Sequence, residues 1–357
     1  MNSDIGPLKF GNVLPIPAAP VEALLKIAVR SEEAGFDSVW ASDHLLMVPG
    51  GLVPNALSLL PAAAALTRRV LLGTAVSDVH RYHPAVLAQM AATIDHISGG
   101  RFILGLGAGE AMNLDPFGIE HDRPVARTVE AIGVMRSLWA GDVLECEGLF
   151  WRFQRASLQI RPVGSSIPIY LGANSPRTRR LAGALADGWL PTPRTPELYK
   201  KHLGDVLRGA REAGRSPEEI ERAIFIYTAV AEEAEDAHRA LERFKPLIIH
   251  SVELLREAGF ELEPLGEAPE QPPPYHEVIP GTAGEEAFWA FGRSIPLEAA
   301  VEFSISGTVD DCMRRIEEFA RSGVEHFVLV NVGPDAKRTF EAYARHIIPY
   351  FREAAGR

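Results

Sequence analysis

Three short stretches carry the residue types that could do chemistry. The first is Gly105-Leu-Gly-Ala-Gly-Glu-Ala-Met-Asn113. Its alternating glycines leave a turn without side chains, so backbone N–H groups can approach a ligand closely. The carboxylate of Glu110 and the amide of Asn113 stand immediately beyond. The stretch is not a Rossmann fingerprint, because Glu110 occupies the third glycine position, and no Gly-Lys-Ser/Thr follows to make a P-loop. The second stretch is Ser42-Asp43-His44. An imidazole suits general acid–base work, and the adjacent carboxylate would orient it or bind ligand. The third is Gly172-Ala173-Asn174-Ser175, with Pro176 placed for the first turn of a helix. Helix N-terminal N–H groups favour a phosphate there, and Arg177, Arg179 and Arg180 add positive charge. The alternative is an ordinary N-cap at Asn174 or Ser175, with the arginines solvated.

Other chemistries lack their residues. His80 and His83 flank Arg81, but no His-x-His motif stands near the first strand to begin a metal-dependent hydrolase site. No Gly-x-Ser-x-Gly elbow occurs. Cys146 and Cys312 are the two cysteines, far apart and outside any Cys-x-x-Cys pair, so no metal or disulfide framework is indicated.

Each of the three stretches ends a strand-like run, and the whole chain alternates strand with helix. Strands are predicted at Lys9–Ile16, Phe36–Ala41, Val70–Val76, Arg101–Gly105, Ile167–Leu171, Gly188–Leu190, Ile220–Val230 and His326–Val332. Helices are predicted between them, including a long one over Ala234–Ala258. Strand then helix, eight times over, predicts a (β/α)8 barrel in a single domain of 357 residues. In that fold the loops after the strands hold the chemistry, which is where all three stretches fall. Two departures stand out: a hairpin-like alternation at Glu145–Gln159, and an irregular insertion at Glu261–Leu297 containing Pro272-Pro-Pro274. A loop of that length is expected to lie over the carboxyl mouth of the barrel.

Composition narrows the partners. Hydrophobic residues make up 46% of the chain, enough for a large core, and the net charge of −11 argues against nucleic acid or an acidic membrane surface. An anionic ligand therefore needs a local cluster of cations. The apolar run Ala56–Leu66 is broken by Ser58 and Pro61 and is too short to span a bilayer. Met1–Pro7 lacks the basic and apolar regions of a signal peptide, which leaves the cytoplasm as the expected compartment.

Taken in order, the motifs resemble the luciferase-like barrel superfamily. They are Ser42-Asp-His44, Leu72-Gly-Thr-Ala-Val76, Arg81-Tyr-His-Pro-Ala-Val-Leu-Ala-Gln89, Gly100–Glu110, Ile169-Tyr-Leu-Gly-Ala173, Ala186-Asp-Gly-Trp189, Ser306-Gly-Thr308 and Gly323–Val328. Gly-Glu-Ala-Met-Asn with Ser-Asp-His resembles the branch that uses the deazaflavin coenzyme F420. That branch includes sugar-phosphate and secondary-alcohol dehydrogenases, methylene-tetrahydromethanopterin reductases and phthiodiolone ketoreductases. Asp115–Glu120, Pro124–Arg127 and Val278-Ile-Pro280 are most similar to the ketoreductases.

The resemblance implies roles. His44 and Glu110 match the branch's active-site histidine and acid, either of which would transfer the proton. Asp43 and Asn113 match cofactor-side positions. Gly107, Ala108 and Gly109, with Gly172, Ala173, Asn174 and Ser175, match phosphate-binding segments, and the charge of Arg177 on the following helix is expected to serve the same cofactor. Ala75–Val76 falls where the family has a non-prolyl cis peptide behind the deazaflavin ring. One departure bears on substrate: the branch's sugar-phosphate and alcohol enzymes place a tryptophan shortly after Ser-Asp-His, where this chain reads Leu45-Leu-Met-Val-Pro49. An apolar or bulkier substrate than glucose 6-phosphate is implied. The expected reaction is hydride transfer with a small organic substrate, and a carboxyl held among apolar strands would give Glu110 a raised pKa. The rivals are an FMN-dependent monooxygenase on the same fold and a non-catalytic flavin or deazaflavin carrier. A homodimer is expected by resemblance, with Leu59, Leu60 and Ala62–Leu66 facing either a partner or the core.

Overall fold

Eight parallel strands close into a ring in the computed structural model, which describes residues 6–16, 18–249, 251–262 and 274–355. In chain order the strands are β1 (Lys9–Val13), β2 (Ser38–Ala41), β3 (Leu71–Thr74), β4 (Phe102–Leu106), β5 (Leu144–Glu147), β6 (Arg152–Ala156), β7 (Ile169–Leu171), β8 (Gly188–Trp189), β9 (Glu221–Val230), β10 (Ser304–Gly307) and β11 (His326–Asn331). The ring runs β1-β2-β3-β4-β7-β8-β9-β11 and back to β1. Helices pack around it, giving the (β/α)8 barrel that the strand–helix alternation predicts. β5 and β6 form the antiparallel hairpin expected near Glu145–Gln159.

The core has an outer and an inner layer. Outside, apolar strand faces meet helices such as Val21–Glu33, which buries Leu24 and Ala28. Leu59, Leu60, Ala63 and Ala64 are buried in this layer, so most of the run expected to face either a partner or the core belongs to the core. Inside, Trp40 fills the barrel between Gly11 and Gly73; an added Cβ at Gly73 would lie 2.2 Å from its ring. Beneath it is a polar floor at the amino ends of the strands. The Trp40 indole donates to Ser38 Oγ (2.7 Å), which contacts His326 Nε2 (2.7 Å). His326 Nδ1 and Lys9 Nζ both meet the Glu221 carboxylate. Burial raises the Glu221 pKa, but His326 and Lys9 outweigh it and bring the carboxyl down to about 2. With this end plugged, the open end of the barrel is the carboxyl mouth.

Three local expectations differ from the structure. The predicted helix Ala234–Ala258 is divided into Ala234–Leu241, Lys245–Ile248 and Val252–Glu257. Pro246 has no N–H to donate and sits in the first turn of the second piece, which fits a new helix start rather than a helix interior. The insertion is more regular than its composition suggests, because Ala283–Ser294 is a helix with Phe288 and Phe291 buried. Residues 263–273, including Pro272 and Pro273, lie outside the described residues, as does the Met1–Ile5 segment. A ninth parallel strand, β10, pairs with the far end of β9 from Tyr227 to Val230. Among the described residues, no helix is long and apolar enough to cross a membrane.

Candidate active site

The ends of β2 and β4 bring His44 and Glu110 together at the carboxyl mouth. His44 Nδ1 lies 3.2 Å from Glu110 Oε2, and the two side chains are 13% and 31% exposed, so a ligand can reach the pair. Asn113 holds both. Its Oδ1 accepts from the backbone N–H groups of Leu45 (2.7 Å) and Leu46 (2.8 Å), which fixes the orientation of the amide. Its Nδ2 therefore faces inward, donating to Glu110 Oε2 at 2.9 Å and lying 3.0 Å from His44 Nδ1. Two proton arrangements share this geometry. With Nδ1 bare, the ring accepts from Asn113; with Nδ1 protonated, it donates to Glu110.

The electrostatics correct one expectation. Burial alone would raise the Glu110 pKa, but the charge and hydrogen bond of His44, the Asn113 amide and the charge of His276 outweigh it, so the pKa is lowered. Burial lowers the His44 pKa in turn, and the Glu110 charge and hydrogen bond overcome that and raise it. Each group of the pair thus favours the charged form of the other.

Asp43 points the other way. Its carboxylate is fully buried and accepts from Ser77 Oγ (2.8 Å) and Arg81 Nη2 (3.1 Å). Arg81 also donates to the Asp43 carbonyl (2.6 Å) and, through Nε, to Asp78 (2.5 Å). This lattice ties the end of β2 to the loop after β3, and its sequence signal was only the clustering of Asp78 and Arg81 after a strand. His80 sits between the Ala108 carbonyl (3.1 Å) and that of Glu120 (2.9 Å). His83 accepts from Ala85 N–H as a helix cap.

The glycine turn is a cradle for one side chain. The Ala75–Val76 peptide is cis, as the resemblance implies, and follows the end of β3. A Cβ added at Gly107 would lie 2.7 Å from a Val76 methyl; at Gly105 it would lie 3.2 Å from another and 1.9 Å from the Thr74 carbonyl oxygen. Gly172, on the next strand end, would stand 3.5 Å from the same residue. Val76 thus nests in a glycine-lined recess at the barrel mouth, with Ala75 and Val76 joining the inner apolar cluster. Gly109 adopts φ +86°, turning the chain towards Glu110.

At the end of β7, Ser175 caps the helix Pro176–Leu185 in a reciprocal pair with Thr178, so the N-cap reading holds for that residue. The arginines divide. Arg177 and Arg180 are exposed, whereas Arg179 is buried, pairs with Asp205 at 2.8 Å and donates to the Asn174 carbonyl at 2.5 Å. Arg194, which sequence reasoning missed, is 1% exposed and donates to Asn174 Oδ1 (3.0 Å), to the Thr192 carbonyl (2.6 Å) and to His202 Nδ1 (2.9 Å). It has no carboxylate partner among the described residues. Burial and the Arg179 charge pull its pKa down to about 9, and burial with Arg194 brings His202 down to about 4, leaving that ring neutral. A guanidinium without a counterion beside a helix start leaves positive potential there. The motif Thr192-Pro-Arg-Thr-Pro196 offered no hint of it, since it reads as a helix start.

The described part of the insertion covers the mouth. Val278 and Phe288 pack with Val48 and Leu247, and the short turn Tyr275–Glu277 contacts the segment Ala111–Leu114 beside Glu110. Between this cover, β1 and β11 lies a cavity of about 950 Å³ whose walls include Tyr275 and Trp289. Tyr275 and Trp289 thus bring aromatic surface to this cavity from a part of the chain remote from Ser42-Asp-His44.

Comparison with known proteins places this geometry. The family model for luciferase-like monooxygenases matches residues 8–326. The chain belongs to that family. Within it, the chain is 32% identical over 356 residues to an F420-dependent glucose-6-phosphate dehydrogenase of Microbacterium testaceum, covering 97% of this chain and 98% of the relative. It is 30% identical to a 5,10-methylenetetrahydromethanopterin reductase of Archaeoglobus fulgidus, over 92% and 95% of the two chains. Among solved structures, an F420-dependent secondary alcohol dehydrogenase in complex with an F420-acetone adduct superposes with TM-score 0.81 at 26% identity, covering 98% of this chain and 99% of the other. The coenzyme F420 dependent tetrahydromethanopterin reductase from Methanopyrus kandleri gives the same TM-score, 0.81, and the same identity, 26%, over 97% of this chain and all of the other.

Proposed function

We propose that this chain is a coenzyme F420-dependent oxidoreductase that exchanges a hydride with a carbonyl, alcohol or methylene-pterin carbon of a small organic substrate. The relatives and the two solved structures named above are F420-dependent dehydrogenases and reductases, and the observation that carries the reading is the His44–Glu110–Asn113 constellation beside the glycines around Val76. The residues present suit the cofactor: Ala75 and Val76, seated against the glycines, offer an apolar wall for a flat ring, and the positive charge of Arg194 behind Asn174, which has no carboxylate partner among the described residues, suits its phosphate.

Bound there, F420 would supply or accept the hydride at its deazaflavin ring, and the protein positions and polarises. His44 is the proton-handling residue: its Nδ1 is engaged by Glu110 and Asn113, which leaves Nε2 as the ring atom for the substrate oxygen. Glu110 holds the proton on His44 by charge. Asn113 fixes both side chains, and Asp43, through Ser77 and Arg81, fixes the strand end that carries His44. Gly107, Ala108 and Gly109, with Gly172, Ala173, Asn174, Ser175 and Arg177, are the proposed cofactor-holding segments. The same reading makes the chain a cytoplasmic homodimer, with the exposed Leu66 on the helix Ala56–Leu66 as a candidate contact.

Fluorescence titration with F420 and with FMN tests the cofactor. Saturable F420 binding, followed by its reduction or oxidation with ketones, secondary alcohols or methylene-tetrahydropterins, is the expected result. Tight FMN binding without F420 binding overturns it in favour of a flavin monooxygenase.

A further inference from the structure

The cavity of about 950 Å³ behind the mouth has a charge pattern that the chain as a whole does not. The protein carries 36 Lys and Arg against 47 Asp and Glu. The cavity walls hold Arg30, Arg243, Lys245, Arg293 and Lys337 against the single carboxylate of Glu242. These cations come from four separate segments: the helix Val21–Glu33, the turn around Phe244, the helix Ala283–Ser294 and the helix Ala336–Ala342. Lys245 is buried and pairs with Glu242 at 2.9 Å, which accounts for the carboxylate. Arg243 lies over the Phe244 ring, and Lys337 has only a loose 3.8 Å contact with Glu341. Arg30 and Arg293 make no ion pair among the described residues.

The rest of the wall is apolar and aromatic, with Phe225, Tyr227, Phe244, Tyr275 and Trp289 prominent. Its amides are already engaged: Asn12 donates to Ser31 Oγ, and Asn331 bonds Ala336 and Gly333. At its inner end, the cavity is lined by Val13, Phe225 and Val330, which pack in one cluster with Ala75 and Val76. The cavity wall thus shares an apolar cluster with Ala75 and Val76, and its Ser42 stands two residues before His44.

We infer that this cavity is the substrate site and that it selects an amphipathic ketone, or the matching secondary alcohol, with an apolar or aromatic body and an anionic group at the end remote from the reacting carbon. The assignment of the reacting end rests on the F420 reading above. In the reducing direction, the carbonyl carbon would gain a hydride, with its two electrons, that bound reduced F420 would supply, and the carbonyl oxygen a proton from His44. The apolar wall holds the body, and the cations at the rim hold the carboxylate or phosphate.

The test compares 4-(4-acetylphenyl)butanoate, its neutral amide and glucose 6-phosphate. Calorimetry measures their binding to the protein, and deazaflavin absorbance measures turnover in the F420 complex. The keto acid should bind about tenfold more tightly than the amide, or about 1.4 kcal/mol, and glucose 6-phosphate should bind more weakly than the keto acid. The preference should shrink with added salt and fall to near unity in an Arg293→Gln/Lys337→Gln double variant. Equal binding of acid and amide by the wild type overturns the inference, as does tighter binding of glucose 6-phosphate. Loss of F420 affinity in the double variant, with the acid preference intact, assigns the cations to the cofactor's anionic tail and also overturns it. Absence of F420 binding by the wild type instead overturns the cofactor reading, so the two failures are distinguishable.

Discussion

Gly107→Ala and Val76→Ala test the recess at the barrel mouth most sharply, because each change relieves what the other disturbs. The Cβ added at Gly107 would stand 2.7 Å from a Val76 methyl. Carbon atoms prefer about 3.5–4.0 Å, so the overlap is about 1 Å. The cost of such overpacking is about 1–3 kcal/mol. Val76→Ala removes two methyl groups, at most about 1.6 kcal/mol at about 0.8 kcal/mol each, and nearer 1 kcal/mol because the side chain is only half-buried. In the double variant the clash is gone, so the total should stay near about 1 kcal/mol rather than the sum of about 2–4 kcal/mol. The coupling is then about 1–3 kcal/mol in favour of the pair. Urea denaturation of the four proteins gives the stability cycle, and F420 titration of the same four should show Gly107→Ala weakening the cofactor and the double variant recovering part of the loss. Additive stabilities within about 0.3 kcal/mol would refute the packing argument, because they would mean that Val76 does not occupy the space above Gly107.

Glu110→Gln should lower the His44 pKa and move the alkaline limb of the kcat/KM profile for ketone reduction to lower pH, with a rate loss of about 10²-fold or more; an unmoved limb refutes the coupling. The same pair sets a stability window. His44, raised above its ordinary 6.5, contributes fully below that value and loses the contribution as pH rises through its folded pKa. Glu110, lowered below its ordinary 4.5, contributes above that value and loses the contribution as pH falls through its folded pKa. Wild type should therefore gain most over the variant between pH 4.5 and 6.5, and a difference independent of pH in thermal melts contradicts this. Arg194→Gln should weaken F420 about tenfold while sparing a deazaflavin that lacks the phosphate; equal losses for both would make Arg194 merely structural. Asp43→Asn should destabilise by about 2 kcal/mol in urea, below the 3–5 kcal/mol of a wholly unpaired buried charge, because Arg81 keeps Asp78. A loss under about 0.5 kcal/mol would show that the lattice does not tie β2 to the loop after β3.

The barrel was legible because its signals are local. Runs such as Val70–Val76 and Ile220–Val230 are rich in branched residues, and glycines punctuate the helices between strands. What escaped prediction depends on contacts distant in sequence. β10 is four residues long, Ser304–Gly307, and two of them are serine, so its strand character comes from pairing with β9 rather than from its own composition. The helix Ala283–Ser294 lies beside a proline-rich run that suggests irregular chain, yet Phe288 finds Val48 and Leu247 to pack against. The hydrophobic pattern marked the buried faces, and tertiary partners decided the remainder.

The active site divides in the same way, and the sign of the Glu110 shift shows why. From sequence, a carboxyl after a glycine turn among apolar strands is a desolvated group, and desolvation raises its pKa. That influence is present and is the largest single one. What reverses it is a pair of donors, His44 and Asn113, of which the first lies 66 positions earlier in the chain. Burial is readable from the surroundings of one residue, whereas charge compensation requires knowing which strand end meets which. The reversal also alters the proposed chemistry: a protonated Glu110 would be an acid in its own right, whereas an ionised Glu110 would leave that part to His44 and hold the proton there by charge. The same logic applies at Asn174, where the visible arginines at 177 and 180 are exposed and the guanidinium that bonds the amide arrives from Arg194 on another loop. In this barrel the residue types could be read one by one, and the closure of the ring decided which of them meet.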